Sequence, residues 1–165
     1  MVSISEIGAD ELFKIRDLAE EIWPPTFREI LSSEQIRYML NWMYDPETLI
    51  KQQTEGHCFF LAEEKDVQLG FMGIQLSNPD PTSLKIHKLY VLPELQGKGI
   101  GRKLVDKAVE LAMTSNIDRI LLNVNRYNKA VEFYKYIGFS ILYEENIDIG
   151  NDYWMEDYVM ELTLH

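Results

Sequence analysis

Cysteine is nearly absent from this sequence, with Cys58 the only one among 165 residues. A single thiol forms no intramolecular disulfide and no thiolate-cluster metal site. That suits a reducing compartment. Cys58 runs into Phe59-Phe60-Leu61-Ala62, so it reads as a buried structural thiol rather than a nucleophile. Histidine is scarce too, and His57, His87 and His165 lack metal-ligand spacing, so no metal is expected. Positive charge is in short supply, with 16 Lys and Arg against 27 Asp and Glu and a formal net charge of -11. A nucleic-acid binder needs the opposite balance to neutralise phosphates. An acidic surface draws in cationic small molecules, although acidity also serves solubility alone. No apolar run reaches the roughly 18 residues that span a bilayer, and Met1-Val2-Ser3-Ile4-Ser5-Glu6 lacks the basic and apolar regions of a secretory signal. A cytoplasmic protein that engages neither membrane nor nucleic acid is expected. Repeats, low-complexity tracts and Gly/Ser/Pro-rich linkers are also missing, so residues 1–165 are expected to form one domain.

What is present suits a packed globular chain, with 46% hydrophobic and 26% charged residues. Val2 and Ile4 suggest an opening strand. Leu12, Ile15, Leu18, Ala19 and Ile22 recur at helical spacing, and Pro24-Pro25 is expected to end that helix. Ser32 or Ser33 can cap a second helix, and Asp45-Pro46 can open a short third one. Strands are expected from Cys58 to Glu63 and from Leu69 to Leu76, joined by a turn at Glu64-Lys65-Asp66. A loop follows at Asn78-Pro79-Asp80-Pro81, then a strand from Leu84 to Val91 stopped by Pro93. Ile100, Leu104, Val105, Ala108, Leu111 and Ala112 form the stripe of an amphipathic helix over Gly99 to Ser115. Ile120 to Val124 reads as a buried strand and Lys129 to Tyr136 as a helix ended by Gly138. Phe139 to Tyr143 and Tyr158 to Leu164 are expected as the last strands. The order predicts a mixed α/β (α+β) domain with a twisted, mostly antiparallel central sheet flanked by helices.

The strongest chemical signal is Gln96-Gly97-Lys98-Gly99-Ile100-Gly101-Arg102, set between a predicted strand and an amphipathic helix. Glycines let a backbone approach a ligand closely, and the N–H groups of a helix N-terminus point at anionic oxygens. A pyrophosphate cradle follows. The alternating Gly97, Gly99 and Gly101 fit neither GxxxxGK with Ser or Thr nor GxGxxG. A glycine-rich turn that merely caps a helix stays open on the loop alone.

With its context, this segment resembles the GNAT family of N-acetyltransferases, in which Gln/Arg-x-x-Gly-x-Gly/Ala grips the CoA pyrophosphate; Gln96, Gly99 and Gly101 fill those positions. Leu89-Tyr90-Val91 before Pro93-Glu94 looks like the family's fourth strand. The block from Asn125 to Tyr134, followed by Gly138-Phe139, is similar to its later Asn-x-x-Ala, Tyr and Gly-Phe pattern. The resemblance implies the GNAT acyl-CoA N-acyltransferase fold and acetyl-CoA as cosubstrate. It implies cofactor contacts from Leu89, Tyr90 and Val91, from Gln96, Gly97, Lys98, Gly99, Ile100, Gly101 and Arg102, and from Asn125 or Asn128 with Tyr134. Tyr127 holds the family's usual Asn position, so the choice between Asn125 and Asn128 stays open.

Acetyl transfer to an amine needs a neutral amine, an oxyanion stabiliser and an acid for the departing thiolate. Tyr134 resembles the family's proton donor, and a phenol of pKa about 10 is protonated at neutral pH. His87 is the candidate base, since period two sets it on one face with Leu89 and Val91. Glu156 and Asp157 are alternatives that can accept an ammonium group or relay its proton. Trp23-Pro24-Pro25-Thr26-Phe27, Ile30-Leu31 and Gln35 to Leu40 resemble the polyamine-acetylating branch. The expected partner is therefore a small cationic amine such as a polyamine, with a second copy in a homodimer also compatible. A peptide N-acetyltransferase and a CoA-binding regulator without turnover remain alternatives.

Overall fold

A computed structural model describes residues 1–76 and 80–164. Asn78 and Pro79 of the expected loop, and His165, lie outside the described residues. The elements in chain order are β1 (Ser3–Ile7), α1 (Leu12–Phe27), α2 (Ser33–Met43), α3 (Pro46–Thr54), β2 (His57–Glu64), β3 (Val67–Leu76), β4 (Ser83–Val91), α4 (Ile100–Thr114), β5 (Arg119–Asn125), α5 (Ala130–Tyr136), β6 (Ser140–Gly150) and β7 (Tyr153–Thr163). They form one seven-stranded sheet in the order β1-β2-β3-β4-β5-β7-β6. Only β4 and β5 pair in parallel, and α4 is the crossover that a parallel pair requires.

The run Phe59-Phe60-Leu61-Ala62 is continuously apolar because its strand is covered on both sides. Phe59 and Leu61 join Phe71 and the buried stripes of α1, α2 and α3. Phe60 and Ala62 join Met72, Leu84, Ile86 and the Ile100, Leu104, Val105 and Ala108 face of α4. Local signals set the helix starts: the Ser32 hydroxyl accepts the Gln35 N–H at 3.1 Å, and the Asp45 carboxylate accepts the Glu47 N–H at 3.1 Å.

Two expectations are corrected here. Helix α1 runs through Pro24 and Pro25 to Phe27 instead of stopping at the prolines. A proline inside a helix costs about 3 kcal/mol through its missing N–H and ring clash. Trp23 and Phe27 are nevertheless both buried, stack at 4.7 Å and meet Tyr90 at 5.5 and 6.3 Å. Burying two such side chains contributes about 3 to 6 kcal/mol, which offsets much of the cost of the two prolines, and the Arg28 N–H still closes the last turn on the Pro24 carbonyl at 3.0 Å.

The last two strands are also longer than Phe139 to Tyr143 and Tyr158 to Leu164. They continue to a tight hairpin at Asn151 and Asp152, whose φ values of 57° and 62° suit a left-handed two-residue turn. β6 is a sheet edge and largely exposed, and its polar stretch Glu144-Glu145-Asn146 interrupts the apolar pattern before Ile147 and Ile149 resume it.

Candidate active site

β4 and β5 run side by side only from the Ser83–Arg119 pair to the Ile86–Leu122 pair, although β4 continues to Val91 and β5 to Asn125. Past Ile86 the two strands part, while the other edge of β4 stays paired to β3 as far as Val91. Leu92 donates its N–H to the Leu69 carbonyl at 3.0 Å. Alternation then turns the main chain of Tyr90 toward β3 and that of Leu89 and Val91 toward the open edge. An extended arm laid there gains the hydrogen bonds of an added strand.

Beyond Val91, a short turn over Pro93–Leu95 delivers the exposed Gln96, Gly97, Lys98 and Gly99 to the start of α4. Gly97 and Gly99 have φ of 83° and 82°, where a side chain is strained, yet a Cβ on either meets nothing within 4 Å. Packing does not ask for these glycines; the backbone path does, and it leaves the first amides of α4 open between the exposed Lys98 and Arg102. Gly101 differs, since a Cβ there lies 3.2 Å from Phe133 and its absence lets α5 pack against the first turn of α4. Ile100 is buried in the core and presents only main chain. These residues suit the pyrophosphate and pantetheine of CoA.

Helix α5 follows a turn built by two asparagines. Asn125 Oδ1 accepts the Tyr127 N–H at 2.9 Å, and Asn128 Oδ1 accepts the Ala130 N–H at 2.9 Å, so both carbonyls are spent on the loop. Tyr134 is buried, with Phe133 at 5.2 Å and Phe139 at 5.5 Å. Burial pushes its phenol well above the usual value, which keeps it protonated at neutral pH and makes it a weaker acid than a free phenol. The Tyr90 side chain is held by Trp23, Phe27 and Phe71.

On the face covered by α2 and α3, a cavity of about 360 Å³ opens where β4 and β5 begin to part. Lys85 donates to Asn123, and the Asn123 amide donates to Glu145 at 2.8 Å and to Asp157 at 3.2 Å. Asp157 is 2% exposed, and burial raises its pKa, helped by Glu145 and opposed by the Asn123 hydrogen bond. Lys88 is 4% exposed, donates to Gln52 at 3.0 Å and lies over the rings of Tyr44 and Phe59 at 5.5 and 5.8 Å. Burial lowers its pKa to about 8.

His87 does not share a face with Leu89 and Val91. The β3–β4 register shifts between Gly73 and Ile74, which pair with Lys88 and Ile86, so His87 sits at a bulge. Its ring stacks on His57 at 4.4 Å and approaches Gln75 at 3.1 Å, on the cavity side, while Leu89 and Val91 pack on the α4 side. Burial, then the charges of His57, Lys88 and Lys85, hold its pKa well below the ordinary imidazole value even though its rim meets solvent. That makes it a weak base. Glu156 faces a separate shallow depression with Asn125 and Trp154. Lys85, Lys88, Asn123 and Glu145 escape a sequence reading, yet a signal exists. The apolar positions of β4 are even at Leu84 and Ile86 and odd at Leu89 and Val91, a parity change that marks a bulge.

A parted parallel strand pair, an open helix N-terminus, a buried phenol and a half-open cavity edged by Lys85, Lys88, Asn123, Glu145 and Asp157 define an acyl-CoA-dependent transferase. The chain belongs to the acetyltransferase (GNAT) family, whose profile matches residues 14–139. It is 26% identical over 164 residues to a spermidine N(1)-acetyltransferase of Thermoplasma acidophilum, covering 94% of this chain and 96% of that one. It is 35% identical over 97 residues to an uncharacterised N-acetyltransferase of Methanocaldococcus jannaschii, of which it spans 42%. A peptidyl-lysine N-acetyltransferase of Escherichia coli is 31% identical over 101 residues, 60% of each chain. The fold matches that of the PaiA N-acetyltransferase of Thermoplasma acidophilum in complex with coenzyme A, with a TM-score of 0.82, 24% identity and 99% of both chains covered. The protein is thus an acetyltransferase that uses acetyl-CoA. Among the described residues, no helix is long and apolar enough to cross a membrane.

Proposed function

We propose that this protein moves the acetyl group of acetyl-CoA to the primary amine of a small molecule seated in the cavity beside β4 and β5. The observation that carries the reading is the parting of β4 and β5 after Ile86 and Leu122, which sets an open strand edge against a cavity holding buried Asp157. The amine nitrogen attacks the thioester carbonyl, a C–N bond forms and the C–S bond breaks. A main-chain N–H on the open edge of β4 polarises the carbonyl oxygen. Asp157 takes the proton the amine loses, since burial has brought its basicity closer to that of the working pH. Tyr134 gives a proton to the leaving thiolate. In this assignment Gln96, Gly97, Lys98, Gly99, Ile100, Gly101 and Arg102 hold the pyrophosphate, and Leu89 and Val91 hold the pantetheine arm.

A polyamine as that small amine has two supports, the net charge of -11 and the near-full-length likeness to a spermidine N(1)-acetyltransferase, neither of which comes from the lining of the cavity. The peptide alternative has the likeness to a peptidyl-lysine N-acetyltransferase. Release of free CoA thiol, followed across small amines and lysyl peptides, tests the reading. Turnover of small amines is the expected result, and turnover confined to peptides overturns it.

A further inference from the structure

The two lysines of the cavity, half-buried Lys85 and buried Lys88, are not alike. Lys85 is bound through Asn123 to the carboxylates of Glu145 and Asp157. Lys88 has no such counter-charge: none of the ion pairs among the described residues involves it. Its ammonium meets only the neutral Gln52 side chain and two aromatic rings. A cation buried without an anion is costly, and a bound anion relieves that cost through charge-assisted hydrogen bonds.

We propose that the acceptor carries a carboxylate as well as its amine, and that Lys88 receives this carboxylate, so that the acceptor is an amino acid rather than a polyamine. The proposal rests on the reading of the cavity as the acceptor site. Lys88 on β4 and Glu145 and Asp157 on β6 and β7 line one cavity, which is complementary to a zwitterion. The ammonium lies toward Asp157 and Glu145, and the carboxylate toward Lys88 and the Gln52 amide. A polyamine brings a second cation toward Lys88 instead, and the negative charge of the outer surface does not remove that local repulsion. The cavity lies within the roughly 300 to 1,000 Å³ range of small-molecule sites.

The test compares each proteinogenic amino acid with the amine left when its carboxylate is removed, for example lysine with cadaverine, and includes spermidine and a lysyl peptide. kcat/KM is measured with acetyl-CoA for the wild type and for Lys88→Gln and Lys88→Met, with CoA affinity and Tm confirming that the variants fold. The expected result is a wild-type preference of about tenfold or more for at least one amino acid over its amine, the size of one charge-assisted hydrogen bond. Both variants should reduce that preference to about twofold or less. If small amines are acetylated but no carboxylate improves them, or if the Lys88 variants leave the preference intact, this inference falls and the small-amine reading stands. If only the lysyl peptide is acetylated, both fall together.

Discussion

In the proposed assignment the working groups on the cofactor side of the β4–β5 gap are main-chain amides and carbonyls, offered by the Gln96 to Gly101 loop and by the unpaired edge of β4. On the acceptor side they are side chains, Gln52, Lys88, Asn123, Glu145 and Asp157, brought from five elements into one cavity. The first surface is exposed and local, so a single contiguous segment specifies it. The second is half-buried to buried, and Lys88 and Asp157 shift because protein replaces water around them. The difference teaches how each side is specified: a main-chain cradle depends on the backbone path that Gly97 and Gly99 allow, whereas the cavity depends on which side chains the sheet and its helices bring together.

The largest expected effect lies where the two sides meet. Tyr134→Phe keeps the ring packed between Phe133 and Phe139 and removes the proton donor, so kcat should fall by about 10² to 10⁴ with CoA affinity unchanged. A wild-type rate, in an enzyme whose chemical step limits turnover, reassigns Tyr134 to packing. Asp157→Asn should lower kcat/KM by about 10² or more and erase the acid limb of its pH profile. A carboxyl whose pKa is raised is neutral, and idle as a base, at low pH and gains activity as pH rises through its pKa. An unchanged limb sends the base elsewhere.

Gly99→Val should act on the cofactor side alone. A β-branched residue at φ of 82° is strained, and displacing two or so phosphate-facing amides weakens CoA binding by about 100-fold. Calorimetric titration of CoA checks this, and an unchanged Kd in a folded variant breaks the assignment of the loop. The mildest effect should be a gain. The pKa of Lys88 is about 8 in the folded chain, below its ordinary 10.5. Above pH 10.5 the lysine is neutral in both states and imposes no penalty. As pH falls toward 8 the unfolded chain takes the proton first and stability declines, and below 8 the whole cost is present. A pKa of about 8 against 10.5 corresponds to a cost of about 3 kcal/mol, from which the lost Gln52 hydrogen bond takes back about 1 kcal/mol, so Lys88→Met should stabilise the fold by about 2 kcal/mol at pH 7 and lose that gain above pH 10.5. Denaturant unfolding at both pH values measures it, and equal shifts at both would remove the charge as the cause.

The contrast between the two sides also explains what was legible beforehand. The α4 stripe, the Ser32 and Asp45 caps, the doubly buried β2 and the glycine loop are all written in neighbouring residues, and each was read close to its place. Helix α1 outran Pro24-Pro25 because burial of Trp23 and Phe27 against Tyr90 lies outside any local window. β6 was half missed because the polar Glu144-Glu145-Asn146 stretch of an exposed edge strand looks like a strand end, although Ile147 and Ile149 resume the alternation beyond it. His87 was set on the wrong face because one bulge reverses every later side chain.

The sequence by itself determined the acetyltransferase family, the order of most helices and strands and the segment suited to CoA. Those depend on periodicity, capping and backbone freedom, which act over a few residues. Tertiary structure alone decided that Lys85, Lys88, Asn123, Glu145 and Asp157 share one cavity, that Lys85 has carboxylates near it and Lys88 has none, and that His87 is held neutral. Charge and basicity are set by what surrounds a group in space, and residues as far apart in the chain as Gln52 and Asp157 become neighbours only when the sheet and its helices close around them.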